Sequence, residues 1–166
     1  MTTSAADELA RAFDADFARA ATVRTADNED LLAIRLGGDP YALVRSELAG
    51  LFADKAVTPL PGAAPGLLGI SGFRGAVVPV YDLRRVIGGP AASAPLRWLV
   101  TAAAAPVALA FDGFDAFLRV PRDTIASHAG AAGHVRRAVR RDGQVRQILD
   151  IASIVEAIRA RARREP

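Results

Sequence analysis

The chain contains no cysteine among its 166 residues. A disulfide framework, a thiolate metal site and a cysteine nucleophile are therefore excluded. No apolar run approaches the roughly 18 residues needed to span a bilayer, and the first residues lack the basic start and apolar core of a secretion signal. We therefore expect a cytoplasmic protein without direct membrane insertion.

Lysine is almost absent as well, because Lys55 is the single lysine beside twenty arginines. This bias reflects codon usage better than a binding task. The charge is also uneven. Residues 1–30 hold seven acids against three arginines, whereas residues 134–166 hold nine arginines against four acids. The two ends could attract each other or bind separate partners.

Residues suited to catalysis are scarce. His128 and His134 are the two histidines, and they lie six positions apart without the spacing of a zinc motif. We expect both to be solvated in a loop. No serine occupies a G-x-S-x-G elbow, and the glycine spacing matches neither a dinucleotide motif nor a phosphate loop. The sequence therefore predicts no catalytic residue, no bound cofactor and no metal site.

Two carboxylates lie close together near residue 113. Asp112 and Asp115 are close enough in sequence to be considered for general acid–base work. Asp112 precedes Gly113, however, and Asp-Gly favours a hairpin turn. Turn chemistry is therefore the better explanation for Asp112.

The most informative stretch runs from Gly66 to Gly89, GLLGISGFRGAVVPVYDLRRVIGG. Its closely spaced glycines permit positive φ and close approach of other backbone. Residues 76–81 form an apolar run rich in β-branched side chains, which is typical of a buried strand. We predict a strand, a tight turn that presents Arg74, and a second strand.

Period-two alternation and turn residues predict strands in most of the remaining chain. These strands are residues 31–36, 41–51, 96–102 and 107–111. One more strand is predicted on each side of the Asp142–Gly143 turn. The segment 52–66 contains three prolines and is expected to be an irregular crossing. Phe117 is among the residues expected to return to the core, and residues 121–134 are expected to form a loop.

A helix is predicted near each end of the chain. Residues 4–21 place Leu9, Phe13 and Phe17 on one apolar stripe, which must pack either on this protein or in the groove of a partner. From Ile151 onward, three isoleucines and a valine share one helical face, and arginines fill the last turns.

Five arginines cluster around the predicted C-terminal hairpin. They are Arg136, Arg137, Arg140, Arg141 and Arg146. Clustered cations suffice for phosphate contacts, so a small basic β-barrel that binds nucleic acid is the alternative function. No aromatic residue is interleaved there to stack on bases. A solvated hairpin face explains the cluster better, and no nucleic-acid partner is expected.

In order along the chain, these blocks resemble the CheW-like domain of chemotaxis coupling proteins. The resemblance covers residues 31–158 and rests on LLAIRLGGDPYALVRSELAGL, GLLGISGFRGAVVPVYDLRRVIG, VALAFDGFDAF and QILDIASIVEAI. The second block is the most specific. Family members carry an Asn-Leu-Arg-Gly turn, a Val-Val-Pro-Val strand and an Asp-Leu-Arg ending. This chain has Gly-Phe-Arg-Gly from Gly72, then Val-Val-Pro-Val and Asp-Leu-Arg.

The resemblance implies a mainly β fold of two small five-stranded SH3-like barrels packed side by side. This chain adds the N-terminal and C-terminal helices. The expected divisions are a helix and linker over residues 1–30, the CheW-like domain over 31–158, and a basic tail over 159–166. The implied function is a non-enzymatic adaptor that joins a chemoreceptor's cytoplasmic tip to a CheA-type histidine kinase within a signalling array.

The resemblance also implies a partner-binding set, which is Leu48, Gly50, Gly72, Phe73 and Arg74. Arg74 could instead only brace its own turn. Three members of the set depart from the family pattern, because Gly50 stands where a glutamate is usual and Gly72 and Phe73 replace asparagine and leucine. These departures predict a divergent paralogue with altered receptor binding.

Overall fold

The computed structural model describes residues 27–127 and 133–164, in which the chain forms two β-sheets, two α-helices and two short 3₁₀ helices. The helix expected over residues 4–21 and His128 lie outside these residues. The strands are β1 (Asn28–Leu36), β2 (Asp39–Val44), β3 (Leu48–Ala53), β4 (Leu67–Phe73), β5 (Ala76–Asp82), β6 (Trp98–Ala102), β7 (Ala108–Phe111), β8 (Gly113–Pro121), β9 (Ile125–Ser127), β10 (Val135–Arg141) and β11 (Gln144–Leu149). The helices are α1 (Leu83–Val86), α2 (Ile151–Ala162) and the 3₁₀ helices Arg45–Glu47 and Arg122–Thr124.

The two sheets share one pairing pattern. Sheet I has the order β8-β1-β2-β11-β10-β9, and sheet II has the order β3-β6-β7-β5-β4. In each sheet two antiparallel hairpins meet along a parallel pair, which is β2 with β11 in sheet I and β5 with β7 in sheet II. The prediction of a mainly β fold with two halves is confirmed.

Each sheet closes on itself through the segment that follows an edge strand. In sheet I, the 3₁₀ helix Arg122–Thr124 turns β8 into β9, which pairs with β10. Strand β9 is therefore the continuation of β8 after a bend. It replaces part of the loop expected over residues 121–134. In sheet II, Thr58 exchanges two backbone hydrogen bonds with Ile70 of β4, at 2.8 and 2.9 Å.

Buried apolar side chains form three clusters in the described residues. One fills the interior of sheet I, one fills the interior of sheet II, and the largest lies between the two and includes both helices. Strand β1 serves two of them, because alternate side chains point to opposite faces. Leu31 contributes to the interior of sheet I, whereas Leu32 contributes to the cluster between the sheets. Each fully buried aliphatic side chain stabilises the fold by about 1.5–3 kcal/mol, so the two halves are packed as one unit.

A capping aspartate precedes each α-helix, at the last position of β5 and directly after β11. Asp82 accepts hydrogen bonds from the backbone N–H groups of Arg84 and Arg85, and Asp150 accepts one from Ser153. These carboxylates satisfy first-turn donors that lack a partner within the helix. The sequence predicted α2 but not α1.

The extended stretch predicted over residues 41–51 is interrupted. Strand β2 ends at Val44, and the 3₁₀ helix Arg45–Glu47 carries the chain from sheet I into sheet II. The start of β3 is therefore held at the boundary between the two sheets.

Candidate partner-binding surface

Arg74 occupies the tip of the β4–β5 hairpin, as predicted. Its φ of 48° and the φ of 84° at Gly75 give two consecutive positive values, which is the geometry of a type I′ turn. The Arg74 side chain is exposed and makes no hydrogen bond or ion pair with any described residue. The alternative in which Arg74 braces its own turn therefore has no contact to support it.

Phe73 lies mostly inside sheet II, with 7% of its surface exposed. Its ring centroid is 4.8 Å from that of Phe52, and Lys55 Nζ lies 5.1 Å from the Phe73 centroid. Phe73 therefore packs in the core and anchors the turn, while its remaining surface borders an adjacent depression.

A depression of about 210 Å³ opens beside Arg74. Its walls are almost entirely apolar and are formed by β3, β4, β5 and the turn between β6 and β7. We call it the Arg74 depression, and the residues that define it are Ala49, Phe52, Phe73, Arg74, Val78 and Val107.

A second opening, of about 310 Å³, follows the boundary between the sheets. Strand β3 forms one wall, and sheet I forms the other. We call it the seam groove, and it is lined by Leu32, Arg45, Leu48, Ala49, Gly50, Leu51 and Phe117.

Burial was wrongly expected for two apolar side chains, Phe117 and Val77, and Val77 of β5 is 68% exposed. Phe117 is the one that lines the seam groove. It is 60% exposed, and its ring lies 5.3 Å from that of Phe114. Side chains alternate along a strand, and Leu118 and Val120 contribute to the interior of sheet I. Phe117 must then point outward. The alternation with its neighbours was the pattern from which its exposure could have been predicted.

The structure brings most of the predicted partner-binding set to one continuous surface. Leu48 and Gly50 line the seam groove, Phe73 and Arg74 line the Arg74 depression, and Ala49 belongs to both. Gly72 is exposed on β4 and lines neither opening.

The two glycines that depart from the family pattern have different surroundings. A Cβ atom on Gly50 would lie 2.8 Å from the Phe52 ring, so a glutamate there would require that ring to move. A Cβ atom on Gly72 would meet no atom within 4 Å. Packing therefore favours glycine at position 50, whereas nothing in the structure explains the glycine at position 72.

Each opening carries one exposed arginine, and Arg45 is close enough to Asp30 to help lower the pKa of that carboxyl. Arg45 lines the seam groove and Arg74 lines the depression, and neither forms an ion pair or a side-chain hydrogen bond with a described residue. Next to Arg45, the Glu47 carboxylate accepts a hydrogen bond from the Ile151 N–H at 3.3 Å, and burial raises the pKa of Glu47. The surface therefore combines apolar walls with two available cations.

More arginines of the C-terminal hairpin have partners within the protein than the sequence suggested. Arg146 is buried rather than solvated, and it donates hydrogen bonds to the Ile34 carbonyl at 3.2 Å and the Asp115 carboxylate at 2.6 Å. Arg136 is paired with Asp150 at 2.9 Å. Arg137 lies 4.0 Å from the Glu29 carboxylate, and Arg141 donates a hydrogen bond to the Arg119 carbonyl at 2.9 Å. Four of the five clustered arginines therefore have partners within the protein, and nothing in the structure supports the nucleic-acid alternative.

Asp112 and Asp115 also have structural partners. Asp112 accepts a hydrogen bond from the Gly37 N–H at 2.9 Å, which joins two turns. Burial acts to raise the pKa of Asp115, but its hydrogen bonds from Arg146 and Arg35 outweigh that effect and hold the pKa below its usual value. Asp115 is thereby held in its ionised form.

His134 differs from the solvated loop residue that we expected. It is half-buried, and its Nδ1 atom lies 2.5 Å from Ser153 Oγ on α2. Burial and the nearby Arg161 lower the pKa of His134. Within residues 27–127 and 133–164, no group of three or more histidines and acids is placed to hold a metal ion. No helix in the same residues is long and apolar enough to cross a membrane.

Comparisons with known proteins agree with this geometry. A family model described as a CheW-like domain matches residues 30–159. The fold is similar to the crystal structure of the scaffolding protein TtCheW from Thermoanaerobacter tengcongensis, with a TM-score of 0.66 and 16% sequence identity. That match covers 74% of this chain and 88% of the other. A search of curated proteins finds no match.

Proposed function

The chain belongs to the CheW-like domain family, and from this membership we propose that it couples a chemoreceptor to a CheA-type histidine kinase. The family consists of scaffold proteins, so the function depends on binding and positioning protein partners rather than on catalysis. The chain would work in the cytoplasm and be recruited to receptor arrays, without a cofactor. Its domain limits, residues 31–158, remain those predicted from the sequence.

The proposal rests on the continuous surface formed by the seam groove and the Arg74 depression. Stable recognition surfaces combine a desolvated apolar centre with a few polar anchors, among which arginine is favoured. Here Leu48 and Phe117 offer apolar contact area, and Arg74 offers a planar cation with several donors. An available arginine beside an apolar depression is suited to docking a protein partner.

We assign this surface to the receptor's cytoplasmic tip. Gly50 and Gly72 stand in the predicted receptor-binding set where other family members carry larger polar side chains. The loss of an acid at position 50 changes both the shape and the charge of the seam groove. The chain is therefore a paralogue whose receptor preference differs from the usual one.

Substitution of Arg74 and Phe117 tests this assignment. Arg74→Ala and Phe117→Ser should each weaken binding of the cognate receptor fragment by about tenfold, because they remove a central anchor. Since both side chains are exposed, the melting temperature should stay within a few degrees of the parent. Isothermal titration calorimetry and thermal unfolding measure the two quantities.

Two exposed residues on the β10–β11 hairpin provide matched controls. Arg140→Ala removes an exposed arginine, and Val145→Ser removes an apolar side chain that is 45% exposed. Both should leave receptor binding unchanged. If Arg74→Ala and Phe117→Ser bind like these controls, the assignment of the surface is wrong.

A further inference from the structure

A third groove, of about 400 Å³, lies where the C-terminal end of α2 meets the proline-containing segment between β3 and β4. Its apolar floor includes Leu60, Leu67, Tyr81 and Ile158, and Leu60 is 39% exposed. An adjoining depression of about 370 Å³ shares Arg161 with it. We call the two together the C-terminal groove. It is separate from the surface assigned to the receptor.

One side of the C-terminal groove is cationic. Arg85, Arg161 and Arg164 line it, and none of them forms an ion pair or a side-chain hydrogen bond with a described residue. Three like charges without counterions repel one another, and an acidic occupant would relieve that repulsion. The groove therefore fits an occupant that is apolar on one face and acidic on another.

Residues 4–17 of the same chain have this composition. Leu9, Phe13 and Phe17 recur at four-residue spacing, which gives an apolar stripe in a helix. The segment carries four acids, Asp7, Glu8, Asp14 and Asp16, against the single cation Arg11. We propose that residues 4–17 dock as a helix in the C-terminal groove of their own chain, with the stripe on the apolar floor and the acids toward the arginines.

The connection is long enough for this placement. Glu29 of β1 lies 4.0 Å from Arg137, and the neighbouring Arg136 pairs at 2.9 Å with Asp150, which caps the start of α2. Strand β1 therefore begins near the first turn of α2. The 12 residues of α2 rise about 18 Å toward the groove at 1.5 Å per residue. Residues 18–27 can span about 33 Å when extended, so the connection can follow α2 along its full length.

Charge distinguishes the C-terminal groove from the seam groove. The seam groove offers Arg45 alone, whereas the C-terminal groove offers three arginines. A tethered segment has an effective concentration on the order of millimolar. Docking would therefore exclude free ligands from the C-terminal groove and leave the seam groove open. The inference is independent of the adaptor function.

Engineered cysteines test the docking directly, because the full chain has none of its own. Ala10→Cys leaves the three stripe residues intact. It is combined with Ala63→Cys in the C-terminal groove, with Ala49→Cys between the two receptor-surface openings, or with the exposed Ala126→Cys on β9. Formation of the intramolecular disulfide under mild oxidation is followed by mass spectrometry. Each reduced variant should melt like the parent.

The Ala10–Ala63 pair should cross-link at least about tenfold faster than the other two pairs, because docking raises the local concentration of the thiols. Arg161→Glu with Arg164→Glu, added to that pair, should slow its cross-linking. Three results would overturn the proposal. They are faster cross-linking of the Ala10–Ala49 pair, equal rates for all three pairs, and disulfide-linked dimers in place of the intramolecular product.

Discussion

At the scale of single residues, two glycines on β4 differ in the space that surrounds them. Gly69 has a φ of 148°, and a Cβ atom there would lie 2.1 Å from the Thr58 carbonyl oxygen. The backbone of the closing segment occupies this space, because Thr58 pairs with the adjacent Ile70. Gly72 has open space around it. The glycine pattern of the sequence showed that close approaches were possible, but only the fold shows which glycine is approached.

Substitution by alanine should separate the two positions. Gly69→Ala must displace the Thr58 backbone, so we expect the free energy of unfolding to fall by roughly 2–4 kcal/mol. Gly72→Ala should change it by no more than about 0.5 kcal/mol. Urea denaturation measures both. Equal stability of the two variants would contradict the closure of sheet II through Thr58.

At the scale of elements, predictions succeeded where local sequence determines the backbone. The Asp142–Gly143 and Arg74–Gly75 turns both adopt two consecutive positive φ values, and each connects the hairpin that the sequence predicted. Helix α1 was missed because its four residues are too few to show a helical period. The break after Val44 was missed because the three polar residues Arg45–Glu47 include no glycine or proline that would mark a turn, and the change of sheet depends on tertiary packing.

The aspartate that begins α1 should be important for stability. Asp82 is 4% exposed, and it accepts hydrogen bonds from the N–H groups of Arg84, Arg85 and Ala92. Asp82→Ala leaves these donors without their acceptor, so it should cost roughly 2–3 kcal/mol. The exposed Asp123 provides the control, and Asp123→Ala should be neutral to within about 0.5 kcal/mol. Chemical denaturation compares them, and a neutral Asp82→Ala would refute the capping role.

At the scale of the whole molecule, the candidate surface is assembled from strands that are distant in the chain. The seam groove brings Leu32, Leu48 and Phe117 together from β1, β3 and β8. Periodicity alone could not identify this surface, because no local pattern specifies which strands adjoin across two sheets. The family resemblance supplied Leu48 and Arg74, and the structure added Phe117 and Arg45. The acidic N-terminal residues and the C-terminal arginines are connected only through the docking proposed above.

We propose that this chain connects a receptor to a kinase, and co-sedimentation of the three components tests that proposal. Membranes that carry the cognate receptor are mixed with the CheA-type kinase, and the kinase in the pellet is measured with and without this chain. We predict that the chain raises the pelleted kinase at least about tenfold, consistent with the enhancement expected from linking two contacts, and that Arg74→Ala with Phe117→Ser removes most of this gain. Pelleted kinase that does not change when the chain is added would contradict the account.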